Sequence, residues 1–171
     1  MNEAMHNLLT RRSVRKYTDQ QVPDELLDQV LTAGLYAPTG MNRQNVIMVA
    51  VRDKETRDLL SKLNAAVMGS DRDPFYGAPC VIVVLGDGDS YPIVENGSLV
   101  LGNLMNAAHA VGLGSCWIHR AKQVFDSPEG KELLKKWGLP QHLQGVGNCI
   151  LGYADEEPEA KPRLEGRIVK I

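Results

Sequence analysis

Val46-Ile47-Met48-Val49-Ala50-Val51 runs without a polar side chain. A stretch this short and this rich in β-branched residues reads as a strand buried on both faces, because a half-buried strand alternates polar with apolar. Upstream stands Ala37-Pro38-Thr39-Gly40-Met41-Asn42-Arg43-Gln44-Asn45, a polar loop opened by a proline stop. Before the loop, Pro23-Asp24-Glu25 starts a helix: proline fits the first helical position and the carboxylates sit at the positive end. Leu26, Leu27, Val30, Leu31 and Leu35 share one face of it. Downstream, Asp53 is placed to cap a second helix carrying Leu59, Leu60 and Leu63.

The alternation continues to the C-terminal end. Residues 68–79 form a loop carrying Phe75 and Tyr76, and Cys80 to Leu85 is a second buried strand. A helix over roughly 96–111 is apolar on too many sides for a surface helix, which assigns it to the core or to a subunit interface. Gly112-Leu113-Gly114 turns into a short strand over 115–118. Ser127-Pro128-Glu129 opens a helix that Gly138 closes, and residues 146–153 are the last strong strand. The tail from Ala154 is charged and proline-rich, yet it ends Arg167-Ile168-Val169-Lys170-Ile171, an alternating pattern with nothing left to pair in its own chain. Strands alternating with helices predict an α/β or α+β sandwich around one sheet, in a single domain over 1–171.

Composition excludes several classes. The 171 residues carry net charge -2 at 43% hydrophobic and 23% charged content. A nucleic-acid binder is expected to be basic, and this chain is not. No apolar run approaches the ~20 residues of a membrane helix, and no secretory leader is expected at the N-terminus. Cys80, Cys116 and Cys149 are far apart, each in an apolar run, and so read as reduced core thiols of a cytoplasmic protein. His6, His109, His119 and His142 lack paired spacing, so no zinc site is expected.

One segment stands out against this neutral background. Arg11-Arg12-Ser13-Val14-Arg15-Lys16-Tyr17 follows a short helical N-terminus over 3–10. An extended backbone turns Val14 inward and leaves Arg11, Ser13, Arg15 and Tyr17 on the other face. Paired guanidinium donors beside a hydroxyl suit a small anion such as phosphate. Asn42 and Gln44 offer carboxamides that match a heterocycle edge of alternating N–H and C=O groups; they also serve ordinary turns. Lys161 and Arg163 supply a second cationic pair far away in sequence.

Other nucleotide and nucleophile signatures are missing. Gly112-Leu113-Gly114 and Gly145-Val146-Gly147 lack a third glycine at dinucleotide-fold spacing and read as plain turns. Ser115 lacks the frame of a nucleophile elbow. Few candidate acids, bases or nucleophiles, combined with good anion and amide donors, point to chemistry supplied by a bound cofactor.

Five stretches in order resemble the FMN-dependent nitroreductase family: Arg11 to Arg15, Val22 to Leu27, Ala37 to Gln44, Gly112 to Ile118, and Lys161-Pro162-Arg163. The resemblance implies an α+β fold, a three-layer α/β/α sandwich around one mixed, mainly antiparallel sheet. It further implies an intertwined homodimer, its tail from about residue 154 packing on the partner, with an FMN in each of two sites at the interface. Carried over by position, Arg11 and Ser13, with Arg12 beside them, hold the FMN phosphate together with Lys161 and Arg163. Arg15 lies by the N1/C2 edge of the flavin, and Asn64 contacts the pyrimidine ring. Pro38, Thr39, Gly40, Asn42 and Gln44 come from the other subunit. The implied reaction is ping-pong hydride transfer from NADH or NADPH through FMN to a small acceptor, a nitroaromatic or a quinone. No catalytic side chain is assigned.

Two departures stand out. Asn45-Val46 replaces a common Pro-Trp, and His119-Arg120 replaces a small or acidic residue followed by glycine. The second leaves open the donor to flavin N5 and the roles of His119, Phe75 and Tyr76. Two other readings remain: a flavin enzyme with another acceptor (dehalogenation or enone reduction), or a flavin-binding redox sensor or store without turnover.

Overall fold

The computed structural model describes residues 1–171. The helices are α1 (Glu3–Thr10), α2 (Asp24–Leu35), α3 (Lys54–Val67), α4 (Ile93–Ala110), α5 (Ala121–Asp126) and α6 (Pro128–Lys136). The strands are β1 (Val46–Val51), β2 (Cys80–Asp87), β3 (Gly114–Ile118) and β4 (Leu143–Gly152), in spatial order β1-β2-β4-β3. Every pair of neighbouring strands is antiparallel. A parallel bridge from Ser13 to Ser115 on the outer side of β3 makes the sheet mixed.

Alternation along the central strands creates the layers. Val81, Val83 and Leu85 of β2 face one way, into a core with Leu60 of α3, Phe125 of α5, Leu134 of α6 and Phe75. Cys80, Ile82 and Val84 face the other way, into a core with Val30 of α2 and Leu101 and Leu104 of α4. Both faces of the sheet are therefore covered by helices, which is why its strands carry no polar register. The result is the expected three-layer α/β/α sandwich.

Several sequence expectations change in detail. β1 lies at the sheet edge, and most of its residues are only partly buried, because an edge strand has a neighbour on one side alone. Gly145-Val146-Gly147 is no turn but part of β4, where the ladder to β2 shifts register between Val84 and Leu85. Glycine is required at 145 because a Cβ there would meet the Ala121 carbonyl oxygen at 2.2 Å. Gly112 does turn, at φ +79°. Tyr17 leaves the basic face: its ring packs on the core and its hydroxyl donates to the Val14 carbonyl at 2.7 Å, as the segment bridges to Ala154. Beyond Glu156 the tail forms no strand in its own chain, and Leu164, Ile168, Val169 and Ile171 are exposed.

The three cysteines are buried and unpaired. Burial pushes the Cys80 thiol up to about 12, and it raises Cys149 as well. Neither offers a thiolate at neutral pH. No helix is long and apolar enough to cross a membrane.

Candidate functional site

The basic segment lies along the outer side of β3. Val14 N–H donates to the Ser115 carbonyl at 3.0 Å, and Val14 is buried. Fixing that one side chain inward sets the direction of its neighbours. Arg12 turns back, its Nη1 donating to the carbonyls of Leu9 (2.8 Å) and Arg11 (2.7 Å), so it caps the C-terminal end of α1. Arg11 is different. Its Nη1 is buried and has no hydrogen-bond partner. A buried guanidinium nitrogen left unpaired carries a desolvation penalty that any acceptor reaching it would relieve. The surroundings are electropositive: His109 is pushed below its usual value by burial first, then by Arg11, His6 and Arg12.

Arg15 N–H donates to the Glu156 carboxylate at 2.5 Å, and Lys16 pairs with Asp155 at 2.7 Å. These contacts tie the start of the tail alongside residues 15–17. Lys161 and Arg163 lie farther out on the exposed tail, and neither pairs with Arg11 or Ser13 within one chain.

Pro38, Thr39, Gly40, Asn42 and Gln44 stand elsewhere, in the loop between α2 and β1. That edge is three strand spacings from β3, about 14 Å. The loop holds a fixed, high-energy shape. Met41, Asn42 and Gln44 have φ of 54°, 52° and 52°, in the left-handed region that non-glycine residues avoid. Four contacts impose it: Gln44 N–H donates to Thr39 Oγ1 (3.0 Å), Gln44 Nε2 to Asn42 Oδ1 (3.2 Å), Gly40 N–H to Asn96 Oδ1 (2.8 Å) and Asn96 Nδ2 to Asn45 Oδ1 (3.1 Å). Asn45, one of the two departures, is thus a pin for the loop. Asn96 is the buried polar group within an apolar helix, a signal visible in the sequence and not used.

Asn64 is buried at the end of α3. Its Nδ2 donates to the His119 carbonyl at 2.8 Å, and its Oδ1 accepts from Arg120 Nε at 3.0 Å. It therefore holds the segment between β3 and α5 in place. Beside that segment is a cleft of about 390 Å³ lined by Arg15, Arg72, Tyr76, Ile118, His119 and Arg120, among others. Phe75 is core and Tyr76 is exposed at the cleft. Asp73 anchors their loop: its carboxylate accepts from Arg57 (2.7 Å), Ser61 (2.5 Å), Phe75 N–H (2.8 Å) and Gly77 N–H (2.8 Å). Sequence reading missed Asp73, Arg72 and Arg57, because only folding brings α3 and this loop against residues 118–120.

The molecule is thus an α+β sandwich with a half-buried arginine, one of its nitrogens unpaired, along one edge of the sheet and a pinned amide loop at the other. The model of the Nitroreductase family matches residues 8–73 and 68–153. A nitroreductase of Bacteroides fragilis, whose crystal structure has bound FMN, superposes with TM-score 0.92 at 27% identity over 100% of both chains. One from Desulfitobacterium hafniense, also with bound FMN, gives 0.90 at 26% identity over 100% of this chain and 99% of that one. An NADH dehydrogenase of Thermus thermophilus is 38% identical over 194 residues, spanning 91% of this chain and 89% of the other. The chain belongs to the nitroreductase family of FMN-dependent oxidoreductases.

Proposed function

We propose that two copies of the chain form two equivalent sites, each assembled from the β3 edge of one copy and the 38–44 loop of the other, and each holding one FMN. When bound, FMN supplies two-electron chemistry, by which hydride from NADH or NADPH reaches a small acceptor, a nitroaromatic or quinone, in a ping-pong cycle. The observation that carries this reading is Arg11 Nη1, buried and without a partner. Arg11 and Ser13 take the phosphate, with Lys161 and Arg163 closing over it, while Arg12 is occupied with α1. Arg15 sets a positive charge beside the ring edge where the reduced cofactor gathers negative charge, which favours reduction. Asn64 fixes the backbone of residues 119–120 against the ring.

A second copy has two supports. The two halves of the site lie on opposite edges of one sheet. The surfaces near them expose Met5, Leu8 and Leu9 of α1, which buries none of its residues, and Leu164, Ile168, Val169 and Ile171 of the tail. Exposed apolar side chains on both segments are suited to burial against a second copy. The domain then spans 1–171, its tail lying on the partner.

The test is an absorbance spectrum of the purified protein, anaerobic titration with each nicotinamide, and light scattering for mass. Expected are a yellow dimer, bleaching by NADH or NADPH, and recovery of colour on adding acceptor. For Arg11→Gln the expected FMN affinity is lower by about two orders of magnitude. A colourless protein that takes up no added FMN overturns the reading; a yellow one that no nicotinamide bleaches makes it a flavin store.

A further inference from the structure

We propose that the cleft beside residues 118–120 selects acceptors that carry a negative charge, an aromatic carboxylate being the best fit. This rests on the proposed FMN site and adds the substrate class to it.

Four basic side chains line the cleft: Arg15, Arg72, His119 and Arg120. Its one carboxylate is Asp73, which already accepts four hydrogen bonds from Arg57, Ser61 and two backbone N–H groups. None of the three arginines of the cleft is engaged in a salt bridge; the one ion pair that reaches the cleft joins Asp73 to Arg57, outside the lining. Arg15 and Arg72 are exposed and Arg120 half-buried, so solvent screens their mutual repulsion, while a cleft lined by one sign of charge raises the local concentration of the opposite one. Arg15 is assigned to the ring edge and the FMN phosphate to Arg11, so Arg72 and Arg120 remain for a different anion.

Backbone geometry at the same two walls supports the assignment. Arg120 has φ +75° and Tyr76 φ +53°, in the region disfavoured for residues with a Cβ. Arg120 stands where the family commonly has glycine, which tolerates that conformation without cost. The arginine is nevertheless held there, its Nε clamped by the buried Asn64 Oδ1 at 3.0 Å, which leaves the two terminal nitrogens free to form a carboxylate fork. Tyr76 presents an exposed aromatic ring at the same opening, suited to stack on a flat acceptor.

Steady-state kinetics on the holoenzyme compares 4-nitrobenzoate with 4-nitrobenzyl alcohol, matched in ring and nitro group and different in charge. The ratio of their kcat/KM values is the readout. It is expected to favour the carboxylate, to fall about tenfold in Arg72→Gln, and to decline as salt rises. Lys136→Gln removes the same charge from an exposed position on α6 and is expected to leave the ratio as it was. A binding measurement stands apart from turnover. Calorimetric titration with benzoate is expected to show saturable binding to wild type and about tenfold weaker binding to Arg72→Gln. A ratio near one, or one that Arg72→Gln leaves in place, overturns the proposal. So does a loss confined to dimer mass, which would give Arg72 to the partner chain. A shift confined to NADPH against NADH also overturns it, since the anion would then be the donor's phosphate. If FMN does not bind at all, the proposed function fails, whereas benzoate calorimetry still decides the charge preference of the cleft.

Discussion

Asp73 shows how much of the site depends on one side chain that never needs to touch a ligand. Partial burial raises its pKa, but the Ser61 hydroxyl, Arg57 and the N–H groups of Gly77 and Phe75 outweigh that, so it lies below the ordinary aspartate value of 3.8. A carboxyl depressed by folding stabilises the native state above its unfolded pKa, and the contribution disappears as pH falls through the folded value. Asp73→Asn is expected to cost about 2 kcal/mol at pH 7, a fall in Tm of about 6 °C for a chain of this size. Below about pH 4 the gap between variant and wild type is expected to begin to narrow as the unfolded carboxylate protonates, and it closes once pH has fallen through the folded value. Thermal melts at pH 7 and pH 3 check this; a gap that widens in acid would contradict the assignment. Arg11 was recognisable in the sequence as part of a charge cluster, but its orphaned nitrogen was not, because Arg12, its neighbour of the same type, is satisfied by α1.

At the level of elements, the sequence located most boundaries and misjudged a few environments. Val46–Val51 and Glu3–Thr10 are delimited as read, and Asp53 caps α3 by accepting from Thr56 N–H at 2.8 Å. These succeed because the signals are local: an apolar run, a capping side chain, a proline. The edge position of β1 was hidden, since helices on both faces erase the polar alternation that marks exposure. α5 was missed because six residues contain too little helical period to register. Gly145 read as a turn for want of knowing what lies above it. Gly145→Ala would drive a methyl group into the Ala121 backbone, which cannot yield as a side chain can. We expect about 3 kcal/mol of destabilisation. Because Ala121 follows Arg120, weaker FMN retention should accompany it, read as free flavin after gel filtration. Native-like stability would mean that α5 sits farther from β4 than described.

For the molecule as a whole, the family resemblance supplied the three layers and the mainly antiparallel sheet, which periodicity could not. Alternating strands and helices gave a sandwich without strand order, and no local pattern joins residue 11 to residue 161 or residue 72 to residue 120. The alternating end of the tail looked like a strand, yet it finds no partner in its own chain. Removing residues 157–171 would delete Lys161 and Arg163 along with four exposed apolar side chains, while keeping Asp155 and Glu156 on the basic segment. If the tail lies on a second copy, the truncated chain should keep its helical signal, dissociate at higher concentration and lose FMN. Light scattering across a dilution series measures this. A stable dimer with full FMN content would show that the tail serves neither end.

The order β1-β2-β4-β3 has a genetic corollary. If every active centre draws on both borders of the sheet, from different polypeptides, two separately crippled alleles can rescue one another. Arg11→Gln spoils one border and Asn42→Ala the other; co-expressed, about half of the assemblies are mixed, and each mixed assembly regains one intact centre out of two, about a quarter of normal turnover. Either allele expressed by itself regains none.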